Sequence, residues 1–151
     1  MNDRRKDIKL YNVLFPFWAI LLFPQTWWFV LPGNFVIDSL VLIISMWILK
    51  ISEKKQWYKK HILKIFLLGL ISDAIGSAYM LLMTMVFEVG RRGDEFYITL
   101  PALVISAILI FVFDYFITFR EIENKTRLEM SLIFAVVTAP YAFLVPTSLL
   151  Y

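Results

Sequence analysis

Apolar residues in this chain come in long uninterrupted blocks rather than in alternation or along a single helical stripe. Residues 10–37 contain no charged side chain, and beyond Asp38 the apolar character continues to residue 49. Further blocks cover residues 65–87, 96–119 and 130–151. A membrane-crossing helix needs about 20 consecutive, mostly apolar residues, so the first block has room for two crossings. Pro32, Gly33 and Asn34 supply turn chemistry at its centre. The pattern predicts an all-α, polytopic membrane bundle of five spans, at about residues 11–31, 34–49, 65–87, 96–119 and 130–150, forming a single integral membrane domain over residues 1–151. Pro24 falls inside the first span, where it removes a backbone donor and crowds the preceding turn, and a kink is expected there.

Composition strengthens this picture. Hydrophobic residues make up 60% of the chain and the mean hydropathy is +0.74, against roughly 45–50% apolar residues in soluble domains. The basic start (Arg4, Arg5, Lys6, Lys9) resembles that of a signal peptide, but the apolar run that follows exceeds the usual 7–15 residues and lacks a small-x-small cleavage site. The first block is therefore expected to stay as a span. With no cysteine, disulfides and thiolate metal sites are excluded.

Charge sets the expected orientation. Of the 15 basic residues, 13 lie before residue 10, in residues 50–64 or in residues 120–127, and only Arg91 and Arg92 lie in the intervening loop. The positive-inside rule then puts the N-terminus in the cytoplasm and the C-terminal Tyr151 outside. A bacterial inner (plasma) membrane is the expected location. The net charge of +3 is explained by these loops, and no nucleic-acid partner is expected. Trp27 and Trp28 near one expected boundary, and Tyr11, Trp47, Trp57 and Tyr58 near the other, suit interfacial anchors.

Three of the twelve acidic residues fall inside expected spans: Asp38, Asp73 and Asp114. An aspartate at a helix centre costs roughly 2.5–3.5 kcal/mol on insertion, and each Leu, Ile, Phe or Val returns about 0.3–0.6. The eleven such residues in 65–87 make Asp73 tolerable without making it harmless. By helix rise, Asp38 is expected about 6–8 Å below the outer boundary, Asp73 near mid-membrane and Asp114 about five residues from the inner end. Such a descending series suits a cation or proton pathway. The plainer account is that each aspartate is a packing device, hydrogen-bonded to Ser, Thr, Tyr or a backbone carbonyl, with Asp38 also open to pairing with Arg91 or Arg92.

The third span places Gly69, Ser72, Asp73, Gly76, Met80 and Thr84 at spacings of three and four, which puts small and polar groups on one stripe. Small residues let membrane helices approach closely. Ser131, Ala135, Thr138 and Ala142 form the expected partner stripe on the fifth span, with Asn34, Asp38 and Ser45 on the second and Ser106 and Asp114 on the fourth. Asp73 is expected to face protein or water, with Ser72, Ser77 or Thr138 as hydrogen-bond partners. His61 is the only histidine, so a metal site has no second imidazole to draw on, and no catalytic motif or cofactor loop is present.

Two short stretches resemble known families. Asn34-Phe35-Val36-Ile37-Asp38-Ser39 is similar to the string that carries one catalytic aspartate in lipoprotein signal peptidases. That resemblance implies a second aspartate facing Asp38 at equal depth, for which Asp94 is the available residue, Asp73 being expected roughly 13 Å deeper. Gly69-Leu70-Ile71-Ser72-Asp73-Ala74-Ile75-Gly76 is similar to a segment of the substrate-binding subunits of energy-coupling vitamin transporters and of small rod-shape membrane proteins. It implies a subunit of a membrane complex, although those proteins usually have six spans.

The functional expectation is a small transport-related membrane protein, acting through its intramembrane aspartates as a cation or proton pathway or as the membrane subunit of a transporter. Five spans make a thin wall for a pore, so a homo-oligomer or a partner membrane protein is expected besides the lipid bilayer. The alternatives are a non-catalytic scaffold for another membrane protein and an intramembrane aspartyl hydrolase using Asp38 and Asp94.

Overall fold

Residues 24–86 and 96–145 are described by the computed structural model, and among them there is helix and no strand. A 3-10 turn (Pro24–Thr26) leads into α1 (Trp27–Ile48), followed by α2 (Lys54–Val86) and α3 (Phe96–Phe113). A π-helical turn (Asp114–Thr118) extends α3, and α4 (Asn124–Val137) is followed by a second 3-10 turn (Tyr141–Leu144). The described residues provide four helical segments long and apolar enough to cross a membrane: Trp27–Ile48, Lys54–Val86, Phe96–Thr118 and Asn124–Leu144. The expected first span falls largely on residues before Pro24, outside the described residues, as does any bend on the N-terminal side of that proline.

The turn expected at Pro32, Gly33 and Asn34 is absent, because α1 runs straight through them. In lipid, a turn would open several backbone groups with no water to satisfy them, each costing several kcal/mol. A proline six residues into the helix leaves only the Trp28 carbonyl without its usual donor. The continuous helix is the cheaper solution. The second expected span thus begins at Trp27 rather than at residue 34, and Asp38 moves to its centre.

The helices pack as a ring, α1 against α2 and α4, and α3 against α2 and α4. Two apolar clusters fill the interior. Val41, Leu42, Met46, Ile62, Ile65, Ile110, Phe119, Met130, Phe134 and Ala135 form one, at the end where the α1–α2 turn lies. Met80, Ile98, Ala102 and Phe143 form the other, toward the opposite end of α2. The outward face of α2, carrying Leu63, Leu67, Ile71 and Ile75 one turn apart, is exposed, as expected for a lipid-facing surface.

With 33 residues α2 is about 50 Å long, well beyond the roughly 30 Å hydrocarbon layer. The excess falls at the end bearing Lys54, Lys55, Lys59, Lys60 and Lys64, where charge is compatible only with water or headgroups. Trp57 and Tyr58 in this extension are not outward anchors. The Trp57 ring lies 4.2 Å from His61 and 5.8 Å from Phe119, and the Tyr58 hydroxyl bonds Ser39 Oγ at 2.8 Å. Trp27, Trp28 and Trp47, at the two ends of α1, are the exposed tryptophans of the kind expected at interfaces.

Lys60 donates to the exposed Glu121 and ties the α2 extension to the loop before α4. The ammonium holds the Glu121 carboxyl below the ordinary glutamate value of 4.5, through the hydrogen bond first and its charge second. A lowered folded-state value means that the contribution is present above 4.5 and is lost as pH falls through the lower folded value. An NMR titration is expected to show Glu121 titrating below 4.5 in the folded protein and rising toward it in Lys60→Gln.

The fourth described segment does not continue to residue 150 as one helix. It stops at Val137, with Pro140 unable to donate and Thr138 and Tyr141 closing the exposed carbonyls of Phe134 and Val136. The break changes the register. Ala142, expected to extend the small-residue stripe, is exposed, and Phe143 is the buried residue instead. Ser131 and Ala135, before the break, are buried as expected.

Candidate functional site: buried carboxylates on three helices

On α2 the stripe of Gly69, Ser72, Asp73, Gly76 and Met80 does turn inward; Ser72, Gly76, Ser77 and Met80 are buried, and Asp73 and Gly69 half-buried. It packs on α3. Ser106 Oγ donates to the Ser72 carbonyl at 3.0 Å, and a Cβ on Gly76 would collide with Ser106 Oγ and lie 2.9 Å from Phe143 Cε2 and 3.2 Å from the Ala102 carbonyl oxygen. Position 76 needs glycine because the α3 backbone is already there.

Two registers follow. Ser72 opposite Ser106 and Gly76 opposite Ala102 make α2 and α3 antiparallel, with Asp114 at about the level of Lys64. On the other side, a Cβ at Gly69 would lie 3.9 Å from Asp38 Oδ2, so the Asp38 carboxyl reaches α2 one turn from Asp73. At 1.5 Å per residue, Asp38 is then about 6 Å from the level of Asp73 and about 7–8 Å from that of Asp114.

Asp38 is the middle member of the series. The order expected from the sequence, Asp38 outermost and Asp73 central, is overturned. Its cause is the unbroken α1, which moves Asp38 from just below a boundary to mid-helix. Asn34 stands one turn from Asp38 on the same face, half-buried. Arg91, Arg92 and Asp94, considered as partners of Asp38, lie outside the described residues.

The hydroxyls divide into two groups. Ser72, Thr84, Ser131 and Thr138 each donate to the carbonyl four residues back, at 2.8–2.9 Å, the usual local solution for a hydroxyl on a helix. Ser72 and Thr138 are therefore committed to their own helices and do not bond Asp73, contrary to expectation. Ser77 Oγ and Thr118 Oγ1 are buried with no hydrogen-bond partner, and so are Asp73 Oδ1 and Asp114 Oδ2. In the π-helical turn the Asp114 carbonyl, four residues before Thr118, accepts from Phe119 N–H at 2.8 Å. The hydroxyl instead sits beside the Asp114 carboxyl without reaching hydrogen-bond geometry.

Thr118 is the residue that sequence reasoning passed over. Its signal was available, since Asp114 and Thr118 stand at the same spacing of four as Asp73 and Ser77. The π-helical turn, which makes that pair inward-facing and keeps Phe119 buried with it, had no such signal.

The lone histidine is buried, with Nδ1 2.8 Å from the Trp57 carbonyl and its ring among Trp57 and Phe119. Among the described residues no three His, Asp or Glu side chains converge closely enough to hold one metal ion. A surface cleft lined by Ser52, Glu53, Gln56, Trp57 and Lys60 lies at the basic end, apart from the carboxylates.

The fold and site define a helical protein suited to a membrane, with acidic groups from three helices in its interior. No family model matches the chain, and no curated protein or solved structure is significantly similar to it.

Proposed function

We propose that this protein is a five-span, transport-related protein of the bacterial plasma membrane, with Asp38, Asp73 and Asp114 as its ion-handling groups. The observation that carries the reading is the level of Asp38, which falls between those of the other two carboxylates. Ionisable groups inside membrane helices are costly and mark ion or proton routes. Three from different helices, in series, favour such a route over three isolated packing devices.

The five-span topology draws on the four described segments together with charge. If each crosses once, the basic residues 50–64 and 120–127 share a side, and the basic residues 4–9 join them only after one more crossing. The remaining apolar stretch, residues 10–26, is at the short end of the 17–25 residues that span. The N-terminus is then cytoplasmic, with a bend at Pro24 easing the join to α1. A homo-oligomer or a partner membrane protein would complete the wall around the route.

Asp73→Asn tests the function. In reconstituted vesicles this variant is expected to lose ion flux while expression and thermal unfolding stay as in the unmodified protein. Unchanged flux would overturn the reading.

A second reading gains from the same geometry. With Asp38 about one helical turn from the level of Asp73 rather than roughly 13 Å above it, the two carboxyls are candidates to hold a substrate water between them, as in aspartyl hydrolases. Cleavage of a membrane-embedded peptide by the purified protein, lost in both Asp38→Asn and Asp73→Asn, would favour hydrolysis over transport.

A further inference from the structure

We propose that the basic end of the α2–α3 seam binds an anionic phospholipid, its phosphate held by Lys60, Lys64 and Arg120 and its chains lying along Leu67 and Ile71. The proposal stands apart from the transport reading, because it concerns the outer surface of the bundle and none of the buried aspartates.

Depth is the first support. Residues 65–86 of α2 contain one charged residue, Asp73, and cover about 33 Å, close to the roughly 30 Å of a hydrocarbon layer. Lys64 therefore stands at the edge of that layer. Lys60, one turn further along, lies about 6 Å beyond it, within the roughly 5–8 Å that headgroups occupy on each side. The two ammonium groups bracket the level of lipid phosphates.

Convergence is the second. Lys60 donates to Glu121, and the Phe119 ring stacks on Trp57 with centres 5.8 Å apart, which brings the neighbouring Arg120 to the same part of α2. The Glu121 carboxyl is held below its ordinary value first by the hydrogen bond and charge of Lys60, then by the charges of Lys64 and Arg120. Three cations thus gather near one exposed carboxylate and outnumber it. Glu121 engages Lys60, while the side chains of Lys64 and Arg120 have no hydrogen-bond or ion partner among the described residues. Other cations at this end are placed differently. Lys54 lies over the Trp47 ring at 4.4 Å and Arg127 over Tyr115 at 4.3 Å. Lys55 and Lys59 stand about 140° around the helix from Lys60 and Lys64 respectively.

The third support is what lies next to the cations. Lys60, Lys64, Leu67 and Ile71 recur at spacings of four, three and four and are all exposed, so they form one outward stripe that is basic at the headgroup level and apolar above it. A free anion uses only the cations, whereas a phospholipid also covers Leu67 and Ile71. Basic pockets between membrane helices recognise anionic headgroups in this way. Phosphatidylcholine, whose own cation cancels its phosphate, gains little from such a stripe.

The test uses the full-length protein in mild detergent, titrated with dioleoylphosphatidylglycerol or dioleoylphosphatidylcholine, with bound lipid counted by native mass spectrometry. The unmodified protein is expected to bind phosphatidylglycerol about tenfold or more tightly than phosphatidylcholine. Lys64→Gln and Arg120→Gln are each expected to weaken phosphatidylglycerol about fivefold, and the double variant roughly thirtyfold. Lys64→Arg is expected to keep the binding. All these positions are exposed, so unfolding without added lipid is expected to match that of the unmodified protein. The Lys55→Gln, Lys59→Gln double variant removes the same charge from a different flank and is expected to change the affinity little. Equal binding of the two lipids, or an equal loss in the Lys55→Gln, Lys59→Gln variant, would overturn the proposal by showing that overall basic charge suffices. Displacement of phosphatidylglycerol by an equal concentration of inorganic phosphate would overturn the lipid as the occupant.

Discussion

Gly76→Ala is expected to destabilise the bundle by about 1–2 kcal/mol. Alanine in place of a mid-helix glycine gains roughly 0.5–1 kcal/mol in helix propensity, but overpacking a filled interface costs about 1–3 kcal/mol. Overpacking wins here because one obstruction is the Ala102 backbone carbonyl, 3.2 Å from the new Cβ, which cannot rotate away. Phe143 Cε2 at 2.9 Å and Ser106 Oγ would have to shift as well. Two other glycines serve as controls. Gly69→Ala meets only Asp38 Oδ2 at 3.9 Å, an ordinary contact, and is expected to be near neutral. Gly33→Ala meets nothing within 4 Å and is expected to gain up to about 1 kcal/mol. Reversible unfolding in mild detergent with added denaturant measures the series. A Gly76→Ala variant as stable as Gly69→Ala would show that the α2–α3 approach is looser than described.

Phe143→Ala is expected to cost about 3 kcal/mol, the lower end of the range for emptying a buried aromatic site. The lower end applies because lipid tails are as apolar as the protein interior, so little transfer energy is lost, and the cavity and its missing contacts dominate. Phe143 is 1% exposed and closes the cluster with Met80, Ile98 and Ala102. Its loss should free the Tyr141–Leu144 turn while leaving α4 in place, since α4 packs independently through Met130, Ser131, Phe134 and Ala135. Hydrogen exchange checks this directly: amides of Tyr141–Leu144 should exchange faster, with those of Asn124–Val137 unchanged. Equal acceleration of both would mean that the turn and α4 unfold as one unit.

These two residues show how the candidate site was and was not legible. The glycine was readable, because Gly69, Ser72, Asp73, Gly76 and Met80 repeat at helical spacing and nothing in lipid rewards such a stripe. The phenylalanine was not. A helix drawn through residues 130–150 puts Ala142 on the inward face, and only the break after Val137 exchanges it for Phe143. Thr138 was misjudged for a related reason: its hydroxyl closes the Phe134 carbonyl at the end of α4 and is not available to Asp73.

What the sequence by itself determined is whatever depends on one helix at a time. Block length and hydropathy mark helices able to cross a membrane, the three-and-four repeat gives the inward face of α2, and the absence of cysteine removes a class of chemistry. What only the tertiary structure decided depends on two backbones meeting. Whether Pro32 and Gly33 end a helix turns on the cost of unpaired peptide groups in their surroundings, and the continuous α1 put Asp38 at its centre. The order of the carboxylates then followed from Asp38 meeting α2 at Gly69 and Ser106 meeting Ser72, because a helix's periodicity fixes its own faces but not the level at which its neighbour lies.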